Sequence, residues 1–238
     1  MIEKYIHYCW FGNKPLPKVY QKYIKTWKKF FPEYVFIERN EKNFPINDFL
    51  YAKEAYEAKK YAFVSDVARM YALYEYGGIY LDTDVEFIKE IDPKLLNNAV
   101  AIFGEESPKD NTFGTGFLAM KKGFEISKKF LNYYSTNHFV KSNGQLDLYS
   151  NTNRLADYIK EFYNLKPCNE FVLIERIYFF PQDYFTAYDG LLGKTCITAN
   201  TICLHHFSNS WSSKYVKLKG KIRVLFNRIL YCLQFRRS

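Results

Sequence analysis

Residues 2–9 alternate apolar and polar side chains as a strand does, and Trp10-Phe11-Gly12 follow at its end. After a turn from Asn13 to Pro17, the residues Val19, Tyr23, Trp27, Phe30 and Phe31 recur at helical spacing. Pro32 ends that helix, because proline has no N–H to continue the ladder. Tyr34–Glu38 reads as a second strand, and the order strand, helix, strand predicts a parallel crossover unit. Residues 39–50 read as a loop and Tyr51–Lys60 as a helix. Another helix spans about Ser65–Tyr76, with Val64, Val67, Ala68, Tyr71 and Ala72 on one face.

The chain is organised around what comes next, Gly77-Gly78-Ile79-Tyr80-Leu81-Asp82-Thr83-Asp84-Val85. Glycine takes the left-handed conformation that closes a helix without steric cost. Ile79–Leu81 suits a strand covered on both faces. Two carboxylates leaving such a strand need compensation, since an unpaired buried charge costs several kcal/mol. A hard divalent cation supplies it; a turn in which Asp82 and Asp84 bond their own backbone is the other reading.

Downstream, Val85–Ile88 and Ala99–Phe103 read as strands, followed by a polar loop to Asn111. Phe113–Met120 carries Gly114-Thr115-Gly116, where small side chains leave the backbone accessible. Gly123–Tyr134 and Leu155–Tyr163 read as helices around a polar stretch, Ser135–Tyr149. Phe171–Ile174 and Ile177–Phe180 read as short strands, and Asn200–His206 as a last strand that delivers His205-His206.

Charge divides the chain. The last acidic residue is Asp189, and the nine basic residues beyond it account for the whole net charge of +9. A neutral body argues against nucleic-acid binding, while a basic tail suits an anionic surface. Within that tail Leu218, Ile222, Leu225, Phe226, Ile229, Leu230 and Leu233 fall at helical spacing among lysines and arginines. This is the pattern of an interfacial membrane segment over 214–238, appended to a domain over 1–213. The five cysteines are scattered and form no Cys-x-x-Cys, which predicts a reducing compartment. No signal peptide is expected, and no run reaches the roughly 18 apolar residues of a membrane span. The 22 Tyr and 22 Phe are read mainly as core.

Glycine-rich phosphate loops are absent: Gly193-Lys194-Thr195 has Tyr188 where a P-loop needs its first glycine, and Gly114-Thr115-Gly116 lacks a third. Ser65-Asp66-x-x-Arg69 places Asp66 and Arg69 on one helix face, as a cap with an ion pair or as part of a site. The run KKYAFVSDVARMYALYEYGGIYLDTDV at 59–85, with IHYCWFGNKPLP before it and LHHFSNSW after it, resembles the DXD-type sugar transferases of glycosyltransferase family 32. That family includes bacterial capsular and lipopolysaccharide enzymes and, more distantly, the glucosylating domain of large clostridial toxins.

The resemblance implies an α/β GT-A fold with a mixed central sheet, a nucleotide-sugar donor (UDP- ahead of GDP-sugar) and Mn²⁺ or Mg²⁺. It implies that Trp10 stacks on the base, that Ser65, Asp66 and Arg69 hold the donor sugar and phosphate side, and that Asp82 reaches the ribose or sugar as well as the metal. Asp84 becomes the direct metal ligand, joined by His206 (ahead of His205, from its spacing to Trp211) and Asn209. Trp211 closes near the leaving phosphate, and Asp147 or Asn153 reaches sugar hydroxyls. The chemistry agrees, since a cation stabilises the charge that develops on a departing diphosphate. No second carboxylate stands out as a covalent nucleophile. The resemblance implies retention of anomeric configuration, so front-face substitution is expected, with a phosphate oxygen taking the acceptor proton. The expected setting is surface polysaccharide or lipopolysaccharide assembly on a glycan or lipid-linked acceptor, at the inner face of the cell membrane. The alternative is a non-catalytic carbohydrate- or nucleotide-binding module on the same fold.

Overall fold

A computed structural model describes residues 1–208, 218–220 and 222–228. Its first half runs β1 (Tyr5–Cys9), α1 (Lys18–Phe30), β2 (Val35–Arg39), α2 (Leu50–Glu57), α3 (Tyr61–Tyr76), β3 (Gly78–Leu81), β4 (Val85–Phe87), α4 (Pro93–Asn98) and β5 (Ala101–Ser107). The second half runs β6 (Thr112–Met120), α5 (Glu125–Thr136), α6 (Asn151–Tyr163), β7 (Val172–Ile174), β8 (Ile177–Phe180), α7 (Gln182–Phe185), β9 (Tyr188–Asp189), β10 (Lys194–Thr195) and β11 (Cys203–His205).

Seven strands form one sheet in the order β2-β1-β3-β6-β5-β8-β7. The expected crossover is present, with β1 parallel to both β2 and β3. β6 then runs antiparallel between β3 and β5, which makes the sheet mixed. All four residues of β3 are buried, as its apolar run predicts for a strand covered on both faces. Alternation sorts its side chains between two cores. Tyr80 joins Val67, Met70 and Leu118 under α2, α3 and α5, while Ile79 and Leu81 join Trp27, Phe87 and Phe117 on the α1 side.

Two details set up the site. Gly77 ends α3 at φ 67°, and a Cβ there would lie 2.6 Å from Lys122 N, so the turn into β3 needs glycine. On the other face the fully buried Trp27 donates from Nε1 to Val85 O at 2.7 Å. Thr26 Oγ1 accepts from Phe87 N at 3.0 Å, so α1 holds β4 and the residue after Asp84 in place.

Several boundaries differ from the sequence reading. α3 starts at Tyr61, so Ser65 and Asp66 lie inside the helix rather than capping it, and Ser65 Oγ donates back to Tyr61 O at 3.0 Å. β5 continues to Ser107, through half of the expected polar loop. α6 starts at Asn151, capped by the Ser150 side chain. The expected division at 213/214 falls outside the described residues. Residues 218–220 and 222–228 are helical, and Arg228 Nη2 donates to Gly193 O at 2.9 Å. Asn227 Nδ2 donates to Leu191 O at 3.1 Å, which ties this helical stretch to the body. Among the described residues no helix is long and apolar enough to cross a membrane.

Candidate active site

Strand β3 ends between β1 and β6 in the middle of the sheet, so Asp82 emerges at the centre of the molecule, the usual place for ligands in open α/β sheets. Asp82 N donates to Gly116 O at 2.8 Å, fixing the exit against β6. Its carboxylate oxygen Oδ1 accepts from Tyr80 OH at 2.8 Å and from Arg69 Nη2 at 3.1 Å. Arg69 Nη2 also lies 3.2 Å from Asp66 Oδ1, and Nη1 donates to Thr115 O at 3.0 Å. One guanidinium on α3 thus joins both aspartates and the β6 backbone.

Asp84 faces the late strand. Its Oδ2 accepts from Ser208 N at 2.8 Å and from Ser208 Oγ at 2.7 Å. His205 Nε2 lies 3.3 Å from Asp84 Oδ1 and 3.9 Å from Asp82 Oδ2. Gly116 makes room for this meeting, because a Cβ there would come within 2.9 Å of His205 Cε1 and 3.3 Å of Asp82 Oδ2.

Titration follows from these contacts. Burial alone would raise the Asp84 carboxyl, but the hydrogen bond and charge of His205 and the two Ser208 donors hold it well below the ordinary range. Burial likewise disfavours charged His205, yet Asp84 first, then Asp82 and Glu106, lift its pKa to about 9. For Asp66, burial and the Asp82 charge outweigh Arg69 and push the carboxyl up from 3.8 to about 6.

One ligand atom each from Asp82, Asp84 and His205 lies within 4.8 Å of the others. Two carboxylates and an imidazole form an oxygen and nitrogen donor set that fits a divalent cation. The carboxylates of Asp82 and Asp84 around His205 make this spot favourable to positive charge.

The family model described as "Glycosyltransferase sugar-binding region containing DXD motif" matches residues 17–101, which hold Asp66, Arg69, Asp82 and Asp84. This stretch is similar to a DXD-type glycosyltransferase sugar-binding region. Inositol phosphoceramide mannosyltransferase 3 of Schizosaccharomyces pombe is 32% identical over 98 residues, 40% of this chain and 27% of that protein. The chain therefore spans about a quarter of the length of that relative. The PaToxG glycosyltransferase structure superposes over 68% of this chain and 70% of its own, with a TM-score of 0.56 and 19% identity. A glycosyltransferase involved in the glycosylation of the major capsid of PBCV-1 covers 89% of this chain and 97% of its own, with a TM-score of 0.42 and 13% identity. The mixed sheet flanked by helices, together with the likeness to the PaToxG glycosyltransferase, makes this a GT-A-type fold.

The DXD region lines a cavity of about 490 Å³ that also takes in Trp10, Ser65, Asp66, Arg69 and His205. Trp10 lies at one end, with its indole Nε1 donating to Lys14 O at 2.6 Å. The histidine expectation is corrected. His206 turns away, with Nε2 2.8 Å from Glu86 Oε2 and its ring stacked on Tyr23 at 4.5 Å, while His205 meets the aspartates of the DXD motif. Asn209 and Trp211 lie outside the described residues.

Asp147 is also corrected, because Arg154 Nη2 at 3.3 Å and Tyr133 OH at 2.9 Å engage its carboxylate inside the protein. Ser150, Asn151 and Thr152 at the start of α6 line the cavity in its place, and Asn153 is not among them. Sequence reasoning missed Ser208 and Glu106. A serine after a strand carries no signal of its own, and Glu106 sits in what reads as polar loop.

Proposed function

We propose that this protein is a metal-dependent, retaining hexosyltransferase of glycosyltransferase family 32. It moves a sugar from a nucleotide-diphospho-sugar, UDP- ahead of GDP-sugar, to a glycan or lipid-linked acceptor in surface polysaccharide or lipopolysaccharide assembly. The observation that carries this reading is the convergence of Asp82, Asp84 and His205 beside Arg69 in one cavity. Those three side chains would hold Mn²⁺ or Mg²⁺, which when bound supplies positive charge where the diphosphate departs. Asp66 and Arg69 orient the donor sugar, and Arg69 keeps Asp82 in position through its ion pair. Trp10 offers an aromatic face to the base.

A screen of UDP- and GDP-sugars for hydrolysis with Mn²⁺, against an EDTA control, tests the reading. At least one UDP-sugar is expected to be cleaved only with the metal, giving a product of unchanged anomeric configuration by proton NMR. No cleavage, or an inverted product, overturns it.

The same reading places the protein in the cytoplasm, on the inner face of the membrane. Support comes from Leu218, Ile222, Leu225 and Phe226, which are 58–60% exposed among the basic residues of the tail, while Arg228 faces the body. The printed name of the Schizosaccharomyces relative, an inositol phosphoceramide mannosyltransferase, also supports a lipid-borne acceptor. Deleting residues 214–238 is expected to abolish flotation with anionic liposomes and to leave donor hydrolysis in place. Flotation that survives the deletion overturns the membrane part of the reading.

A further inference from the structure

Glu106 is a carboxylate on the cavity wall to which no other described residue donates a hydrogen bond. Its placement is built into the strand. The β5–β6 pairing shifts register twice, between Phe103 and Glu105 and again between Glu105 and Ser107. Such bulges re-aim side chains beside active sites. Glu105 turns into the protein, where Cys168 N and Asn169 N donate to its carboxylate at 2.8 and 2.9 Å. Glu106, next along the strand, points to the opposite face and into the cavity. Gln182 Nε2 donates to the Glu106 main-chain carbonyl, which fixes the backbone, and among the described residues nothing donates to the side chain.

Phe207 lies beside it in an uncommon conformation. Its φ is 44°, a region that costs a non-glycine residue about 1–2 kcal/mol and is found preferentially at functional sites. One face of the ring stacks on His205 at 4.0 Å, and Tyr188 approaches at 4.8 Å. Glu106 and Phe207 both line the donor cavity and a second one of about 1370 Å³, which Tyr188 also borders. The second space therefore opens onto the Asp82–Asp84–His205 cluster at this pair.

A carboxylate beside an aromatic wall is the combination that holds a neutral polyhydroxy ring. The carboxylate accepts hydrogen bonds from hydroxyls, and the aromatic surface covers the apolar C–H face. Lys219, Arg223 and Arg228 border the second space farther out, but at the junction the Glu106 carboxylate favours hydroxyl donors over an anion. We propose that Glu106, Phe207 and Tyr188 form a sugar subsite that receives the acceptor glycan, with Glu106 accepting hydrogen bonds from its ring hydroxyls. The subsite rests on the glycosyltransferase reading and adds to it the entry side and the acceptor class.

Saturation-transfer NMR with the methyl glycosides of glucose, galactose and mannose, each with UDP and Mn²⁺ present, tests it on the full chain. At least one glycoside is expected to bind. Its signal should fall at least tenfold in Glu106→Gln and in Tyr188→Leu, and the UDP–Mn²⁺ affinity of the variant at Tyr188, which borders only the second cavity, should stay within about twofold. Two substitutions are used so that misfolding of one does not decide the matter, and circular dichroism checks both. Binding of no glycoside, or binding that survives both changes, overturns the subsite. Parallel loss of UDP–Mn²⁺ affinity in the Tyr188 variant also overturns it, assigning these residues to the donor. Wild-type protein that binds a glycoside but neither binds UDP with Mn²⁺ nor cleaves a donor sinks the transferase reading, and with it the acceptor role.

Discussion

Asp84→Asn is expected to lower metal-dependent donor cleavage by about two to three orders of magnitude, because a loosened cation no longer stabilises the charge that develops on the departing diphosphate, an electrostatic term typically of that size. His205 and the two Ser208 donors hold the Asp84 carboxyl low and favour its charged form. Asparagine keeps the shape and an acceptor for Ser208 but removes the charge that a cation needs. Mn²⁺ titration by calorimetry should show weaker binding in parallel.

The two neighbouring histidines supply the internal control. His205→Ala should weaken Mn²⁺ binding at least tenfold, since its ring nitrogen lies 3.3 Å from Asp84. His206→Ala should stay within about threefold, because that ring is held by Glu86 and Tyr23. The reverse order would refute the assignment of ligands, and cleavage undiminished in Asp84→Asn would refute the metal site altogether.

Asp66→Asn should make the protein more stable and less active. The carboxyl is held near 6 in the folded chain against 3.8 as its ordinary value. The folded state therefore binds this proton more tightly than the unfolded one. The resulting stability is fully present below about pH 4 and is lost as pH rises through about 6. Above that the charged side chain, only 17% exposed, weakens the fold. Discounting for the hydrogen bond that Asn would still accept from Arg69, the substitution should gain about 2 kcal/mol at pH 8. In a chain of this size that is roughly 4–8 °C in Tm.

In metal-free buffer the melting curves of wild type and variant should coincide near pH 4 and separate by pH 7. Donor cleavage should fall at least about tenfold, as expected when a site residue trades stability for function. A variant that melts lower than wild type at pH 8 would show that the Arg69–Asp66 pair is net stabilising.

Much of the site was legible in the chain. The helix, the Gly77 stop, the buried strand and the two aspartates follow from periodicity and from the special conformation of one glycine, all within a single local segment. The histidine assignment depended on tertiary register. β11 pairs His205 with Val85, and that phase, with Tyr23 waiting for the next ring, decides which histidine turns inward. His205-His206 looks alike from either side without it. Glu106 was hidden for a related reason. Glu105-Glu106-Ser107 reads as exposed loop, and a bulge that buries one glutamate and aims its neighbour at a cavity leaves no trace in composition. The start of α3 was missed because Lys60 makes no side-chain cap, so the only capping-type residues in view were Ser65 and Asp66.

The Ser208–Asp84 contacts join positions 124 residues apart. Holding the ends of so long a loop together carries an entropic cost of chain closure, met here by a short strand pair and a few polar contacts. An ion bridging Asp82, Asp84 and His205 would act as a clasp on that loop, tightening the late strand by an amount that grows with the logarithm of free metal concentration above the Kd. Chelation should therefore loosen residues 200–208 first, long before the sheet, and protease nicking there would report cation occupancy without any turnover.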